Sequence, residues 1–403
     1  MPKKSISGQI ALPADIKRTN RRLILNVMRS GNIMTAADIN EQTGISRPTI
    51  MRALQYFCQK GIIKSLGLGS TTSMGGKKPE LFVFSDQRKI LCVNLWPKEI
   101  SFALCDLISD VYALQSFPLT GTDDLDTAFE QVGRQADLYL AQQKLSLDDL
   151  YGVSLTVPGT VDYDTLTLRY NSQAPGWGNN VPIETYLKNI FGAKPAFFVD
   201  NAGKAVGRAL LLDNPDYSER RVMSVFTTWG VSACLTERGH VLNGRDSLIG
   251  EIGHMVIADA EQSTCGCGKK GCLESQIAIR HIREKLASWG LQNAESITYP
   301  ELFALSSQGN EAAQKAVRFA AHCFAVALHN LSLSYNQEIV IFQGDFADAD
   351  ELFDKALRSE LNEFRYYPDG EFFSIVYDKR NLALLASRGA AEPLKKIYFS
   401  SVG

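Results

Sequence analysis

Residues 250–274 of this 403-residue chain read GEIGHMVIADAEQSTCGCGKKGCLE and contain three of its eight cysteines. Four residues of this stretch are candidate metal ligands, namely His254, Cys265, Cys267 and Cys272. Zinc prefers four tetrahedral nitrogen and sulfur ligands, and a site closed by four protein ligands is structural rather than catalytic. Glycines between the cysteines let a tight loop wrap a metal. The pattern predicts a structural zinc site in a loop over residues 254–272; the alternative is three unrelated thiols beside a core histidine.

The composition around this stretch indicates a soluble globular protein, with 45% hydrophobic and 21% charged residues. A single core rarely grows beyond about 250–300 residues, so the length predicts more than one domain. No apolar run in the sequence approaches the roughly 18–20 residues that span a bilayer. The N-terminal lysines are not followed by an apolar segment, which argues against a secretory signal. We therefore expect a cytoplasmic protein that does not insert into a membrane.

Charge is distributed unevenly along the chain, although the net charge is only −2. Residues 1–90 contain 15 Lys and Arg against 5 Asp and Glu, whereas the remaining residues contain 27 against 39. A basic first segment on an acidic body predicts a polyanionic partner for that segment alone.

The basic segment has the pattern of a winged helix-turn-helix. A helix over 17–30 places Leu23, Ile24, Val27 and Met28 on one face. A second helix is expected from about Thr35 to Gln42, and a third begins at the N-cap Ser46 and is closed by Gly61. Two short β runs, IIKSLG and LFVF, flank a Gly, Ser and Lys tip and predict a hairpin, the wing. We expect a loose arm over 1–14 and the DNA-binding domain over 15–86.

The start of the third helix is where side chains reach base edges in this motif. Arg47 and Arg52 are the strongest candidates for contacts with bases or phosphates. The full set of candidate DNA-contacting residues is Ser46, Arg47, Thr49 and Arg52 in the helix, with Lys77 and Lys78 in the wing. The alternative is a basic helical bundle that binds a protein partner.

From residue 87 to the C-terminus, the sequence predicts an α/β fold. Hairpin patterns followed by helical patterns occur twice, which predicts two similar α/β lobes that face a cleft.

The quoted motif also carries a family resemblance. GEIGHM followed by CGCGKKGCLE resembles the signature of the ROK family, which comprises repressors, open reading frames and kinases. ISRPTIMRALQYFCQKGIIKSLG resembles the DNA-binding half of ROK repressors, and TVPGTVD, GWGNNVPIETYL, VDNAGKAVGRAL and EIVIFQGDF occur in family order. The resemblance covers nearly the whole chain and implies an actin-like sugar-kinase fold over 87–403.

The resemblance implies a set of sugar contacts. In ROK kinases the sugar is held by an Asn-Asp pair, by the Glu and His of the GE-x-GH motif, and by the Glu after the last cysteine; the Asp also acts as the base. Carried over to this chain, these residues are Asp200, Glu251, His254 and Glu274, with Asp200 as a vestigial base. Val199 occupies the asparagine position, which removes one polar contact.

The nucleotide side departs from the family pattern. Kinases of the family begin the first hairpin with Asp-x-Gly-Gly-Thr, whereas this chain has Asn-Leu-Trp-Pro-Lys at 94–98. Trp and Pro cannot form a close phosphate cradle, because proline has no N–H and the indole prevents a close approach. The second turn, at 227–232, contains Trp229, and the third retains only Gly344 of a Gly-Gly pair. These departures predict that the protein is not an enzyme.

Together these features predict a repressor of carbohydrate-metabolism genes that binds an inverted repeat in double-stranded DNA as a homodimer or tetramer. Its cofactor would be zinc, and its effector a sugar or sugar phosphate bound between the lobes. Two alternatives remain open: a ROK sugar kinase with a DNA-binding appendage, and a repressor controlled by a protein partner rather than by a sugar.

Overall fold

The computed structural model describes residues 13–69, 78–120, 124–258, 264–366 and 373–402. The helices α1 to α12 span Pro13–Met28, Ala36–Thr43, Arg47–Gln59, Leu125–Gln142, Ile183–Phe191, Ala202–Asp213, Leu273–Ile277, Ile279–Ser288, Tyr299–Ser307, Glu311–Tyr335, Glu351–Glu363 and Leu382–Ser401. The strands β1 to β15 span Ile63–Leu68, Glu80–Phe84, Lys89–Trp96, Glu99–Asp106, Val111–Pro118, Leu150–Val157, Thr160–Asp162, Thr167–Tyr170, Val181–Pro182, Ala196–Asn201, Val222–Thr227, Val231–Glu237, His240–Val241, Ile339–Gly344 and Ser374–Asp378.

The first three helices and the β1–β2 hairpin form the predicted winged helix-turn-helix. Thr35 caps α2 as expected: its Oγ1 accepts the Asp38 N–H at 3.2 Å, and Asp38 Oδ2 accepts the Thr35 N–H at 2.7 Å. Gly44 takes a left-handed conformation between α2 and α3, with φ of 67°, which a glycine adopts without strain. The wing tip, with Lys77, lies outside the described residues.

Two details of α1 differ from the sequence prediction. The helix begins at Pro13, inside the segment expected to be a loose arm. Leu23 is 45% exposed, and Leu25 is buried with Ile24 and Met28 instead. The prediction of Leu23 as a core residue was therefore wrong, because α1 packs against α12 as well as α2 and α3, a contact that its own periodicity does not encode.

The first lobe of the α/β body contains a five-stranded sheet in the order β10-β6-β3-β4-β5. β10, β6 and β3 are parallel, and β3, β4 and β5 are antiparallel. Alternate residues of β3 lie on opposite faces of the sheet. Leu91 and Val93 pack with α4 and α5, whereas Ile90 and Cys92 pack with α12.

The second lobe repeats this arrangement with the order β13-β12-β11-β14-β15. Its core surrounds α10, whose residues include Val317, Phe324 and Leu328. By length and composition, α10 could cross a membrane, but half of its apolar stretch is buried in this lobe. Helix α10 is therefore explained as the central core helix of the second lobe.

Helices α6 and α12 join the lobes. Helix α6 follows β10 of the first lobe directly and packs on β12 of the second, where a Cβ at Gly207 would lie 2.2 Å from Cys234 Cβ. Gly389 of α12 approaches α6 equally closely, since a Cβ there would lie 1.7 Å from the Ala205 carbonyl oxygen. Both contacts require glycine, so the two helices and β12 pack at backbone distance.

The DNA-binding segment does not have a core of its own. Its apolar residues, such as Met28 and Phe57, form one continuous cluster with Leu107 of the first lobe and with Tyr398 and Phe399 of α12. At the edge of this cluster, the Arg29 guanidinium donates to both carboxylate oxygens of Glu392 in α12, at 3.0 and 3.1 Å. We call this contact region the shared core.

Candidate functional site

The four predicted metal ligands converge in space. One ligand atom from each of His254, Cys265, Cys267 and Cys272 lies within 4.8 Å of the others. The Cys267 and Cys272 sulfurs are 3.8 Å apart, and Cys265 Sγ is 3.4 Å from His254 Nδ1. Tetrahedral zinc with Zn–S bonds of ~2.3 Å and Zn–N bonds of ~2.0 Å requires separations of roughly 3.8 and 3.6 Å. The donor set and its spacing therefore fit a closed zinc site.

Glycines make the tight path of this loop possible. Gly271 has a φ of 74°, and a Cβ there would lie 1.9 Å from the Ala258 carbonyl oxygen. A Cβ at Gly266 would lie 2.5 Å from the Ser172 carbonyl oxygen. The loop therefore packs directly against residue 172 in the first lobe, at the mouth of the cleft.

A small cavity of about 50 Å³ lies between the lobes. Its described lining residues come from both lobes and from the metal-ligand loop: Trp96, Pro158, Gly159, Asn171, Ser172, Gln173, Asn201, Ala202, Gly203, Phe226, Thr228, Trp229, Gly230, Val231, Ser232, Glu251, His254 and Glu274. Three of the four predicted sugar contacts, Glu251, His254 and Glu274, thus meet in one cavity.

His254 can serve the metal and the cavity at once, because its two ring nitrogens face different groups. Nδ1 lies beside Cys265 Sγ, and Nε2 lies 3.3 Å from the Ser172 hydroxyl. A metal on Nδ1 leaves the proton of the neutral ring on Nε2, where it can be donated to a ligand or to Ser172.

The two glutamates supply acceptors on either side of His254. Glu274 Oε2 accepts the Val231 N–H at 2.9 Å, which fixes its orientation and leaves lone pairs for a ligand. Burial raises the pKa of Glu251, and His254 and Lys204 oppose that shift. Paired carboxylates and amides are suited to binding a polyol, because each oxygen accepts hydroxyl hydrogen bonds.

The structure contradicts the assignment of Asp200 as a ligand-binding residue and vestigial base. Asp200 has no exposed surface and is not among the described residues that line the cavity. Its Oδ1 accepts the Asn201 N–H at 2.8 Å, and its Oδ2 accepts a hydrogen bond from Arg208 at 2.6 Å. Both oxygens are therefore engaged inside the protein, away from the ligand.

The two residues that follow Asp200 in the sequence reach the cavity instead. Side chains alternate along β10, so a shift of one residue moves a side chain from one face to the other. Asn201 and Ala202 line the cavity, whereas Val199 is in the core of the first lobe.

We predict that Asp200→Asn lowers the stability of the protein instead of altering ligand contacts. The change leaves the guanidinium of Arg208 largely buried without its counter-charge, and breaking such a pair costs about 3–5 kcal/mol. Chemical denaturation measures the loss. The paired variant Asn201→Ala should weaken ligand binding with a smaller loss of stability, and the reverse ranking would restore Asp200 to the ligand site.

The first nucleotide-side turn is filled by protein. Asn94 is buried and its side chain is satisfied: Nδ2 donates to Ser101 Oγ, the Ala383 carbonyl oxygen and Ser387 Oγ at 2.9–3.1 Å, and Oδ1 accepts from Thr156 Oγ1 at 2.7 Å. Four hydrogen bonds therefore hold the Asn94 side chain inside the protein.

Two tryptophans meet across the cleft at this end. Trp96 of the first lobe and Trp229 of the second have ring centroids 5.0 Å apart, and Trp96 Nε1 lies 3.3 Å from Thr156 Oγ1. Trp229 also lines an adjoining cavity of about 420 Å³. The two cavities share part of their lining, including Trp229, Gly230 and Glu274.

The predicted DNA-contacting residues that the structure describes are exposed or half-buried. Ser46, Arg47 and Arg52 are exposed on α3, Thr49 is half-buried, and Lys78 is exposed beside the wing. Lys77 cannot be placed, since it lies outside the described residues. Arg47 occupies the first turn of α3 without an acidic partner there. A cation at a helix N-terminus opposes the helix dipole, so its position suits an anionic partner.

Sequence reasoning missed two basic residues of α1. Lys17 and Arg21 line a groove with Thr49 and Arg52 of α3. The Arg21 guanidinium lies 3.4 Å from the centroid of the Tyr56 ring, which holds it against α3. The run KRTNRR was a signal in the sequence, but only the packing of α1 on α3 shows which of its cations line this groove.

Comparisons with known proteins match both parts of the chain. A family model described as ROK family matches residues 74–392, and one described as MarR family matches residues 14–66. The xylose repressor of Caldicellulosiruptor bescii is 22% identical over 363 residues, 86% of this chain and 88% of that protein. The DNA-binding transcriptional dual regulator NagC of Escherichia coli is 21% identical over 359 residues, 86% of this chain and 85% of that protein.

Solved structures show the same fold. A ROK family transcriptional regulator, described as a homolog of the E. coli MLC protein, has a TM-score of 0.74 at 17% identity and covers 96% of this chain and 99% of its own. A ROK family glucokinase from Streptomyces griseus, in complex with glucose and AMPPNP, has a TM-score of 0.62 at 15% identity and covers 76% of this chain and 99% of its own.

Proposed function

Because this chain belongs to the ROK family, we propose that it is a sugar-responsive transcriptional repressor of carbohydrate-metabolism genes. The observation that carries the proposal is the set of exposed basic residues on α3, joined through the shared core to a two-lobed body whose cleft is lined by Glu251, His254 and Glu274. Relatives described as a xylose repressor and as NagC match over most of their length, which supports the same reading. The protein would act in the cytoplasm, where its DNA lies.

The effector site would be the cavity between the lobes. Glu251 and Glu274 would accept hydroxyl protons, Asn201 would contribute an amide, and His254 Nε2 would donate. A zinc ion held by His254, Cys265, Cys267 and Cys272 would fix the loop from which the histidine and Glu274 reach the cavity. The ion would have a structural role, because four protein ligands leave no open coordination position.

A route for the ligand signal runs through two helices. Helix α6 begins at the cavity with Asn201 and packs against Gly389 of α12 at backbone distance. Three residues further along α12, Glu392 holds Arg29 of α1. Ligand-driven closure of the lobes would move α6 relative to α12 and so reorient the DNA-binding helices, a population shift between two arrangements.

We predict that the protein does not phosphorylate sugars with ATP. Phosphoryl transfer depends on positioning and charge neutralisation around the phosphates. Here Trp96 and Pro97 stand in the first turn and Trp229 in the second, where kinases of the family have glycines, and Asn94 stands where they have an aspartate. A coupled assay should show no sugar-dependent ATP turnover; turnover near ~1 s⁻¹, the low end of ordinary enzymes, would favour the kinase alternative.

The repressor would bind an inverted repeat as a homodimer or tetramer, since a two-fold axis matches a palindromic operator. Selection of bound fragments from genomic DNA by the full-length protein, followed by release with individual sugars, tests the proposal. Specific fragments released by a sugar are the expected result. Specific fragments that no sugar releases would favour control by a protein partner, and absence of specific binding would refute the repressor assignment.

A further inference from the structure

The charge of the cavity restricts the chemical class of the effector. Two carboxylates, Glu251 and Glu274, line it, and among its described lining residues none is lysine or arginine. Proteins bind phosphate esters with arginine, lysine or backbone N–H groups at helix N-termini. A phosphorylated ligand would place a dianion beside the carboxylates without a compensating cation.

The nearest cations are already engaged behind the cavity wall. Lys204 is buried, and its Nζ donates to the Ser247 carbonyl oxygen at 2.8 Å. Arg208 is paired with Asp200. Arg280 lines the adjoining cavity but is not among the described lining residues of the first, and it donates to the Thr264 carbonyl oxygen at 3.2 Å. Each of the three cations therefore already has a hydrogen-bond partner that does not line the first cavity.

The N-terminus of α6 also reaches the cavity, but its positive end is partly neutralised. Asn201 Oδ1 accepts the Lys204 N–H at 3.1 Å, and Asp200 Oδ1 accepts the Asn201 N–H at 2.8 Å. A side-chain cap and a carboxylate therefore use part of the hydrogen-bonding capacity that an anion would need.

The lining instead contains polar groups that lack a partner. Asn171 is 1% exposed, its Oδ1 accepts the Gln173 N–H at 3.0 Å, and its Nδ2 has no hydrogen-bond partner. The Thr228 hydroxyl is also buried without a partner. A buried polar group left unpaired costs about 1–3 kcal/mol, and a ligand hydroxyl would remove that cost.

Apolar surface completes the cavity. Trp96 is 4% exposed and Trp229 is 38% exposed, and both line the cavity. Indole rings pack against the C–H faces of a sugar but offer a dianion only one N–H donor each, and Trp96 Nε1 already lies against Thr156.

From these observations we infer that the effector is an uncharged sugar and not a sugar phosphate, with Asn171 as a further hydroxyl contact. The inference rests on the proposed function and narrows it. The carboxylates and amides of the cavity bind hydroxyl groups, and the two carboxylates repel a negatively charged ligand.

The test compares matched ligands on the full-length, zinc-loaded protein. Glucose, N-acetylglucosamine and xylose are each titrated into the protein, and so is the terminal phosphate ester of each sugar. Calorimetry measures the affinity of each ligand, and a second assay measures the release of operator DNA. For the pair whose free sugar binds, we expect the ester to bind at least about tenfold more weakly and to release less DNA. An ester that binds as tightly as the free sugar, or more tightly, overturns the inference and leaves the repressor assignment intact. If the operator is bound but no sugar or ester binds, sugar control fails and the inference with it.

Two variants test the stated causes. Glu274→Gln removes a negative charge from the lining, so the preference for free sugar over ester should narrow by about threefold or more. Asn171→Ala should weaken free-sugar binding by about fivefold or more. The control is Asn243→Ala. Like Asn171, Asn243 has a buried side-chain atom without a hydrogen-bond partner, in this case Oδ1, but it lies outside the described lining of the cavity. This variant should keep the sugar affinity within twofold of the wild-type value. An unchanged sugar-to-ester ratio in Glu274→Gln, or equal losses in the two asparagine variants, would contradict the inference.

Discussion

Cys272→Ser is expected to reduce the zinc content from one ion per chain to less than a tenth of that value and to lower the melting temperature by roughly 10 °C. The four ligand atoms lie within 4.8 Å of one another, and a metal that binds them in the folded state only adds its binding free energy to folding; structural sites in small zinc domains contribute about 10–16 kcal/mol at neutral pH. Serine is a poor zinc ligand, and the loop would lose the constraint that places His254 and Glu274 in the cavity. Ligand-induced release of DNA should therefore be lost as well.

Elemental analysis of protein purified without chelators and a thermal melt make this measurement. Cys323→Ser is the matched control, because Cys323 is also a buried thiol but lies in α10, outside the cluster. It should lose some stability and keep its zinc. Wild-type protein without zinc, or a Cys272→Ser variant that retains it, would contradict the assignment of the metal ligands.

Arg47→Ala and Arg52→Ala are each expected to weaken operator binding by about 1–3 kcal/mol, roughly 5- to 150-fold, if each reads a base. Both side chains are exposed on α3, and Arg52 lines a groove with Lys17 and Arg21. Loss of Arg47 should not destabilise the fold, because its charge is unfavourable at a helix N-terminus. The double variant should bind operator no better than unrelated DNA.

Fluorescence anisotropy with operator and scrambled duplexes, each at two salt concentrations, separates base reading from phosphate attraction. A lost base contact lowers the ratio of specific to non-specific affinity, whereas a lost phosphate contact weakens both and reduces the salt dependence by about one ion. Lys60→Ala removes the same charge at the far end of α3 and should change operator affinity less than threefold. Equal effects for Lys60 and Arg47 would indicate that general charge, and not the start of α3, carries recognition.

The parts of this molecule that depend on local chemistry could be predicted from its sequence. Cysteine spacing and glycines identified the metal-ligand loop, because ligands so close in sequence have few ways to meet. The cap at Thr35 and the turn at Gly44 likewise defined α2 and its link to α3. The ROK resemblance placed Glu251, His254 and Glu274, which follow one another on the same loop and helix start, in one cavity.

The sequence did not predict which way some side chains point, or which elements far apart in the chain pack together. Asp200 and Asn201 are adjacent in sequence, yet the pleat of β10 sends one to the interior and the other to the cleft, so a one-residue error reverses the assignment. The contact between Trp96 and Trp229 joins two lobes, and no local pattern encodes it. The burial of Leu25 instead of Leu23 depends on α12, which lies more than 350 residues away in the chain.

The shared core has a consequence for how the protein unfolds. A DNA-binding segment connected by a flexible linker would unfold independently of the rest of the protein. Here Met28 and Phe57 cannot leave their positions without exposing Leu107, Tyr398 and Phe399. The DNA-binding segment and the first lobe should therefore unfold as one cooperative unit, with a single calorimetric transition for both. Removing residues 1–85 would uncover an apolar surface prone to aggregation, so recognition of DNA by this chain is better dissected by single surface substitutions than by truncation.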